Sequence, residues 1–191
     1  LTKVQDYTAS FQLVNGTYTA SGTIFYMKPF FLRVNSMTDG VQLVTNGKLL
    51  WIYIPAYGLV AEQDLIKSED SFKIALAATE KNLRHMQQEY SFSFAPGGRD
   101  NAAQFILDLK PRVTKIGFKE IRLWVDRESG LITRVASKTV NGKTVDITFT
   151  GIKTNLNPAL TKGLFYFGMP DANVQTIRNT ILPAELVDKR R

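Results

Sequence analysis

The chain has 191 residues, 44% of them hydrophobic and 21% charged, which is enough apolar material for a packed core and argues against a disordered chain. Its formal net charge is +7, it has no cysteine, and His85 is its one histidine. These counts exclude disulfides, thiol catalysis, and thiolate or multi-histidine metal sites, and any Ser-His-Asp triad would have to use His85.

At the start, Thr2 to Tyr7 reads as the last turns of a helix. Thr17 to Lys28 then alternates as a strand does, with Ile24, Tyr26 and Lys28 on one face and Phe25 and Met27 on the other. Pro29 interrupts it. The following "FFLRVNS" places Phe30, Leu32 and Val34 together. In "QLVTNGKLLWIYIP" (Gln42 to Pro55), Asn46-Gly47 between two strand-forming runs is a hairpin signal. A two-residue turn there predicts the pairs Thr45–Lys48, Leu43–Leu50 and Val41–Ile52. Val41, Leu43, Leu50, Ile52 and Ile54 then share one face, and Val44, Leu49, Trp51 and Tyr53 the other. Both faces are apolar, so both need cover. A helix on each side, a second sheet, or an apolar ligand under a movable helical cover would each supply it.

From about 68 to 88 the spacing predicts an amphipathic helix. Ser68 is its N-cap, Glu69 and Asp70 occupy the first turn, and Phe72, Leu76, Leu83 and Met86 form its stripe. His85 lies among charged residues on this helix and reads as a surface histidine. Further strands follow: Tyr90 to Phe94; a run with Phe105, Leu107 and Leu109 on one face; a run with Ile121, Leu123 and Val125; and, after a second Asn-Gly at Asn141-Gly142, a run with Val145, Ile147 and Phe149. The last stretch, about 173–191, has a weaker apolar pattern broken by Pro183. It either packs along the sheet or trails from it, and the pattern does not choose. Many short strands at intervals of about 8–12 residues predict a mainly β domain, an antiparallel meander, sandwich or open barrel, in a single unit over 1–191.

No catalytic, cofactor or metal site is expected. Asp126 and Glu128 are turn formers, "DRESG" lacks the spacing of a calcium loop, and "APGGRD" lacks the lysine and frame of a phosphate loop. Positive charges are spread without a dense run, so nucleic acid is not an expected partner. No run of 18 apolar residues predicts a membrane-spanning helix.

An ordered series of motifs resembles the LolA family and the wider superfamily of LolA-like, LolB-like and RseB-like lipid-binding domains. "VQDYTASF" is similar to the family's first helix running into its first strand. "ASGTIFYMKPFFLRV" resembles its strand, basic-proline and return-strand pattern. "LVTNGKLLWIYIP" is similar to its hairpin, "LWVDRESGLITRV" to a later strand–turn–strand, and "DITFTGIKTNLNPALTKGLFYFGMPDANVQTI" to its closing pattern. The resemblance implies an incomplete antiparallel β-barrel, a half-barrel with a helical lid over a hydrophobic cavity. It implies no enzyme and no cofactor. Its task would be that of a periplasmic chaperone for protein transport in outer-membrane biogenesis, with a signal peptide removed before Leu1. The cavity would bind lipoprotein acyl chains received from an inner-membrane ABC transporter of the Lol type and passed to an outer-membrane acceptor, the carrier acting as a monomer. The same fold would serve a RseB-like sensor, a LolB-like acceptor, or a phospholipid or glycolipid carrier.

Carried onto this chain, the resemblance makes Ile24, Tyr26, Leu32, Val34, Leu43, Leu50 and Ile52 cavity residues, with Phe72, Leu76 and Leu83 under the lid. Trp51 and Tyr53 would point outward, under the N-terminal helix. In the family pattern an arginine precedes the proline and hydrogen-bonds to the closed lid. Here Lys28 stands in its place, cationic but without the planar guanidinium fork. Arg33 lies nearby, after a change of strand.

Overall fold

A computed structural model describes residues 4–65, 88–112, 118–170 and 173–179. Among these, twelve strands form one sheet: β1 (Asp6–Asn15), β2 (Tyr18–Met27), β3 (Phe31–Ser36), β4 (Gln42–Thr45), β5 (Leu49–Ile54), β6 (Leu59–Asp64), β7 (Tyr90–Phe94), β8 (Gln104–Pro111), β9 (Phe118–Asp126), β10 (Ile132–Thr139), β11 (Thr144–Thr154) and β12 (Gln175–Arg178). Their order across the sheet is β12-β6-β5-β4-β3-β2-β1-β11-β10-β9-β8-β7. The sheet is open, with β12 and β7 at its ends, so the mainly β expectation holds and the strands do not close into a barrel. The predicted lid helix falls, but for Gln88, outside the described residues, and so do Phe72, Leu76, Leu83 and His85.

Most neighbours are consecutive antiparallel hairpins. Two ladders are not. β1 pairs with β11, joining the β2–β6 meander to the β7–β11 meander. β12 runs parallel to β6, with Ile177 opposite Ala61. The final stretch therefore packs along the sheet as far as Arg178, and residues 180–191 lie outside the description.

The start of the chain departs from expectation. Asp6 and Tyr7 open a strand rather than ending a helix, opposite Met27 and Tyr26. Tertiary partners decide this. The Tyr7 and Tyr26 rings lie 5.2 Å apart. The buried Asp6 carboxylate accepts the backbone N–H groups of Leu156 at 2.7 Å and Leu160 at 3.0 Å. It thereby ties the loop after β11 to the head of β1.

The hairpin at Asn46-Gly47 also differs in register. Leu43 pairs with Ile52 and Thr45 with Leu50, two residues away from the expected partners. The two turn residues are Gly47 and Lys48, not Asn46 and Gly47. Asn46 is the residue before the turn, and its side-chain oxygen accepts the backbone N–H groups of Lys48 and Leu49 at 2.9 and 3.0 Å. Gly47, at φ +86°, supplies the positive angle at the first turn position. A shift of two leaves every side chain on its expected face, because the strand period is two. At Asn141-Gly142 the loop is longer by one. Thr139 and Lys143 close around Val140, Asn141 and Gly142, with Gly142 at φ +82°.

The sheet has two different faces. On the face here called outer, the β8–β11 half is polar and carries the ion pairs Arg122–Asp108 and Arg134–Asp146. The β3–β6 half of that face is apolar and is covered by the segment after β11. Phe167 stacks on Trp51 at 5.9 Å and packs with Val44, Val60 and Tyr53. Phe165 meets Phe31 at 5.4 Å. Arg33 holds the same segment, donating to the carbonyls of Leu164 and Tyr166 and to the side-chain oxygens of Asn35 and Gln42. Trp51 and Tyr53 do point away from Leu50 and Ile52, but described residues at the chain's other end cover them, where the N-terminal helix was expected.

Candidate functional site

The opposite, inner face is where the predicted cavity residues meet. Direct cross-strand partners run Ile177, Ala61, Ile52, Leu43, Val34, Ile24, Ala9 across seven strands. Tyr7, Tyr26, Leu32, Thr45 and Leu50 form a second row beside it. The alternation in these strands puts mostly apolar residues at every second position, and the registers bring those positions into line. Ile24, Tyr26, Leu32, Val34, Leu43, Leu50 and Ile52 thus share one face. Leu43 and Leu65 pack against both buried clusters here, one around Tyr7, Ile24, Tyr26 and Leu32, the other around Leu50, Ile52 and Ile54.

The apolar face does not stop at β1. Four residues further along β1 a second row on the same face runs from Ala20 and Leu13 through Ile147, Val135, Leu123 and Leu107 to Phe94, out to the edge strand β7. Phe11 lies opposite Gly22, and a Cβ added at Gly22 would stand 2.7 Å from the Phe11 ring and 2.0 Å from the carbonyl oxygen of Asn35. Glycine at this point lets β3 and the ring approach the strand closely. One apolar surface therefore spans the sheet from β12 to β7.

The two halves of this surface are filled to different degrees. In the β2–β6 half the side chains seal one another, with Leu32 at 1% and Leu50 at 0% exposure, while Val34 and Leu43 between them are half-buried. The β7–β11 half also has a sealed centre of Tyr90, Leu109, Ile121 and Leu123, but around it Leu107, Val125, Val135 and Ile147 are half-buried, and toward the edge Phe92 and Phe94 are 39% and 47% exposed. The Phe94 and Phe105 rings meet at a tilt, 5.9 Å apart, at the rim, with the Arg127 guanidinium 4.0 Å over the Phe105 ring. The sequence shows the alternation of β7 to β11. It does not show that β11 lies beside β1, so the continuation of the face is missing from the sequence-based set.

Two polar groups sit within the face. Burial, with the neighbouring Tyr26, pushes the Tyr7 hydroxyl well above the usual tyrosine range. Burial, with Glu89 beside it, pushes that of Tyr90 up as well. Both therefore stay neutral. Lys28 follows β2 directly, and its backbone N–H donates to the Gln5 carbonyl at 2.8 Å. Arg33 points to the outer face, so it does not stand in for the family arginine on this side. Among the described residues no group of three or more His, Cys, Asp or Glu side chains could hold a metal ion, and no helix is long and apolar enough to cross a membrane.

An open sheet, antiparallel but for β12, with an apolar face from edge to edge provides a surface for apolar ligands. The family model described as "Outer membrane lipoprotein carrier protein LolA" matches residues 2–168. The chain belongs to the LolA family. No curated protein sequence matches the chain. Among solved structures, a conserved protein of Thermus thermophilus described as uncharacterized is similar at a TM-score of 0.58 and 12% identity, over 92% of this chain and 91% of that one. A putative outer membrane lipoprotein-sorting protein domain from Vibrio parahaemolyticus is similar at a TM-score of 0.45 and 12% identity, over 84% and 88%. Membership of this family points to lipid or lipoprotein binding as the general task.

Proposed function

We propose that this LolA-family protein is a periplasmic, non-enzymatic carrier of lipoprotein acyl chains. The inner face binds the chains, and the predicted helix at 68–88 closes over them as a lid, giving the half-barrel and cavity of the family pattern. The carrier takes its cargo from an inner-membrane ABC transporter of the Lol type and gives it to an outer-membrane acceptor. It acts as a monomer, without a cofactor. The observation that carries this reading is the continuous apolar face formed by two rows, Ile177 to Ala9 and Leu13 to Phe94, which Phe11 links along β1. Each methylene shielded there is worth about 0.8 kcal/mol, so a surface this wide holds a chain well but must be partly open to release it. The lid assignment is supported by topology: β6 and β7, which flank residues 68–88, stand ten places apart in the strand order. Release then follows a population shift between closed and open forms.

The test is native mass spectrometry of the protein with and without a diacylated lipopeptide, together with displacement of a hydrophobic dye. Stoichiometric lipopeptide binding is expected. Binding of neither lipopeptide nor dye overturns the carrier reading and favours a face covered by a partner protein. Leu43→Glu places a charge in the middle of the first row. Lost lipopeptide binding with a cooperative unfolding transition retained is expected, whereas global unfolding would put Leu43 in a closed core.

A further inference from the structure

Two buried side-chain polar atoms among the described residues have no hydrogen-bond partner, Ser36 Oγ and the Tyr90 hydroxyl. Ser36 is only half-buried, at the end of β3. Tyr90 is different. It is fully buried at the start of β7, packed with Leu109, Ile121 and Leu123, with Phe118 and Leu107 against them. Nothing in its described surroundings accepts its proton. A buried hydroxyl left without a partner is costly, and phenylalanine would fill the same place without that cost.

The hydroxyl also stands at one end of the less filled half of the inner face. Tyr90, Phe92 and Phe94 point the same way along β7, by the strand's period of two. Phe92 lies opposite Leu109, and Phe94 opposite Leu107. From Tyr90 to Phe94 is four residue steps, roughly 13 Å at about 3.3 Å per step. The track begins at an unsatisfied donor, runs over Leu109 and Leu107, and ends at half-exposed phenylalanine rings.

We propose that Tyr90 is the polar anchor of the cargo site: its hydroxyl donates a hydrogen bond to the ester or amide carbonyl at which an acyl chain begins, and the chain lies along β7 and β8 toward Phe94. This rests on the carrier reading above and locates its site in the β7–β11 half, where the exposed rings of Phe92 and Phe94 lie on the same strand as the anchor. Buried as it stands, the hydroxyl is reached when the acyl chain parts the side chains around it. The anchor selects for chemistry as well as length, since an alkyl chain without a carbonyl gains nothing from it.

The experiment compares wild type, Tyr90→Phe and Phe94→Ala with two probes: a lipopeptide carrying two ester-linked palmitoyl chains, and its dialkyl ether analogue. Tyr90→Phe is expected to weaken the ester probe about tenfold, leave the ether probe unchanged, and raise the Tm of the protein without ligand. Phe94→Ala is expected to weaken both probes alike. Equal affinity of wild type and Tyr90→Phe for the ester probe, or an equal loss for both probes, overturns the anchor. Unchanged binding by Phe94→Ala overturns the placement of the chain. If wild type binds neither probe, the carrier reading itself fails, which separates the two outcomes.

Discussion

Asp6 shows how a single side chain can decide local structure against its neighbourhood. Its carboxylate accepts two backbone N–H groups from the loop that follows β11. Hydrogen bonds to a charged group contribute about 1.5–3 kcal/mol, and a truncated partner leaves both donors unmet. Asp6→Ala is therefore expected to lower stability by roughly 3 kcal/mol, read from the urea midpoint at constant m-value. Asp126 offers the pH-dependent counterpart. Its side chain accepts the backbone N–H and hydroxyl of Ser129, and these bonds hold its carboxyl below the ordinary value of 3.8. A lowered folded-state pKa gives stability that is full above the unfolded value and is lost as pH falls through the folded one. Asp126→Asn should thus be less destabilised by acid than wild type, seen as a smaller drop in urea midpoint between neutral pH and pH about 3. Asp126 is legible as a turn former from the residues alone; the partners of Asp6 are not. An aspartate before a tyrosine reads equally well as helix or strand until the loop it binds is known.

At the scale of elements, the sequence conveys faces better than it conveys registers. The alternation of "QLVT" and "LLWIYI" names both faces of the hairpin correctly, yet the pairing is displaced by two because Asn46 uses its side chain to close the turn. An Asn-Gly pair says that a left-handed residue is present, not which two residues form the turn. Gly47→Ala tests this. An added Cβ would stand 2.6 Å from Cβ of Phe30 on a backbone at φ +86°, so a loss of about 1–2 kcal/mol or more is expected in thermal or urea unfolding. The segment over Trp51 gives a second case. Arg33 holds it with a planar fork that lysine cannot reproduce. Arg33→Lys should leave the sheet intact and speed amide exchange at residues 164–168, while unchanged exchange there would mean that the Phe165 and Phe167 rings alone keep the segment in place. The covering of Trp51 by Phe167 could not be read from spacing, because more than a hundred residues separate them.

For the whole molecule, composition and strand spacing were enough for a mainly β domain, and ordered motifs were enough for the family. The apolar inner face was only half legible. Residues assigned to it from β2 to β5 do share the inner face, but its extension through β11 to β7 depends on the β1–β11 ladder, a long-range pairing with no local signal. That ladder has a kinetic side. Its partners are 130 residues apart at Asn15–Val145 (145 − 15) and 147 apart at Tyr7–Thr154 (154 − 7), while most other ladders join strands that follow one another in the chain. Closing a loop of that length costs about 4 kcal/mol of chain entropy, against about 2 for a hairpin of ten residues. The protein is in this respect two quickly assembled meanders joined by a slow seam, with β12 docking on β6 across a comparable span, and refolding should be paced by the seam that joins the meanders. A chain whose two meanders have formed but not joined would show each of them with an unpaired border strand, β1 on one and β11 on the other, which makes the seam the place where nascent molecules are most open to pairing with one another.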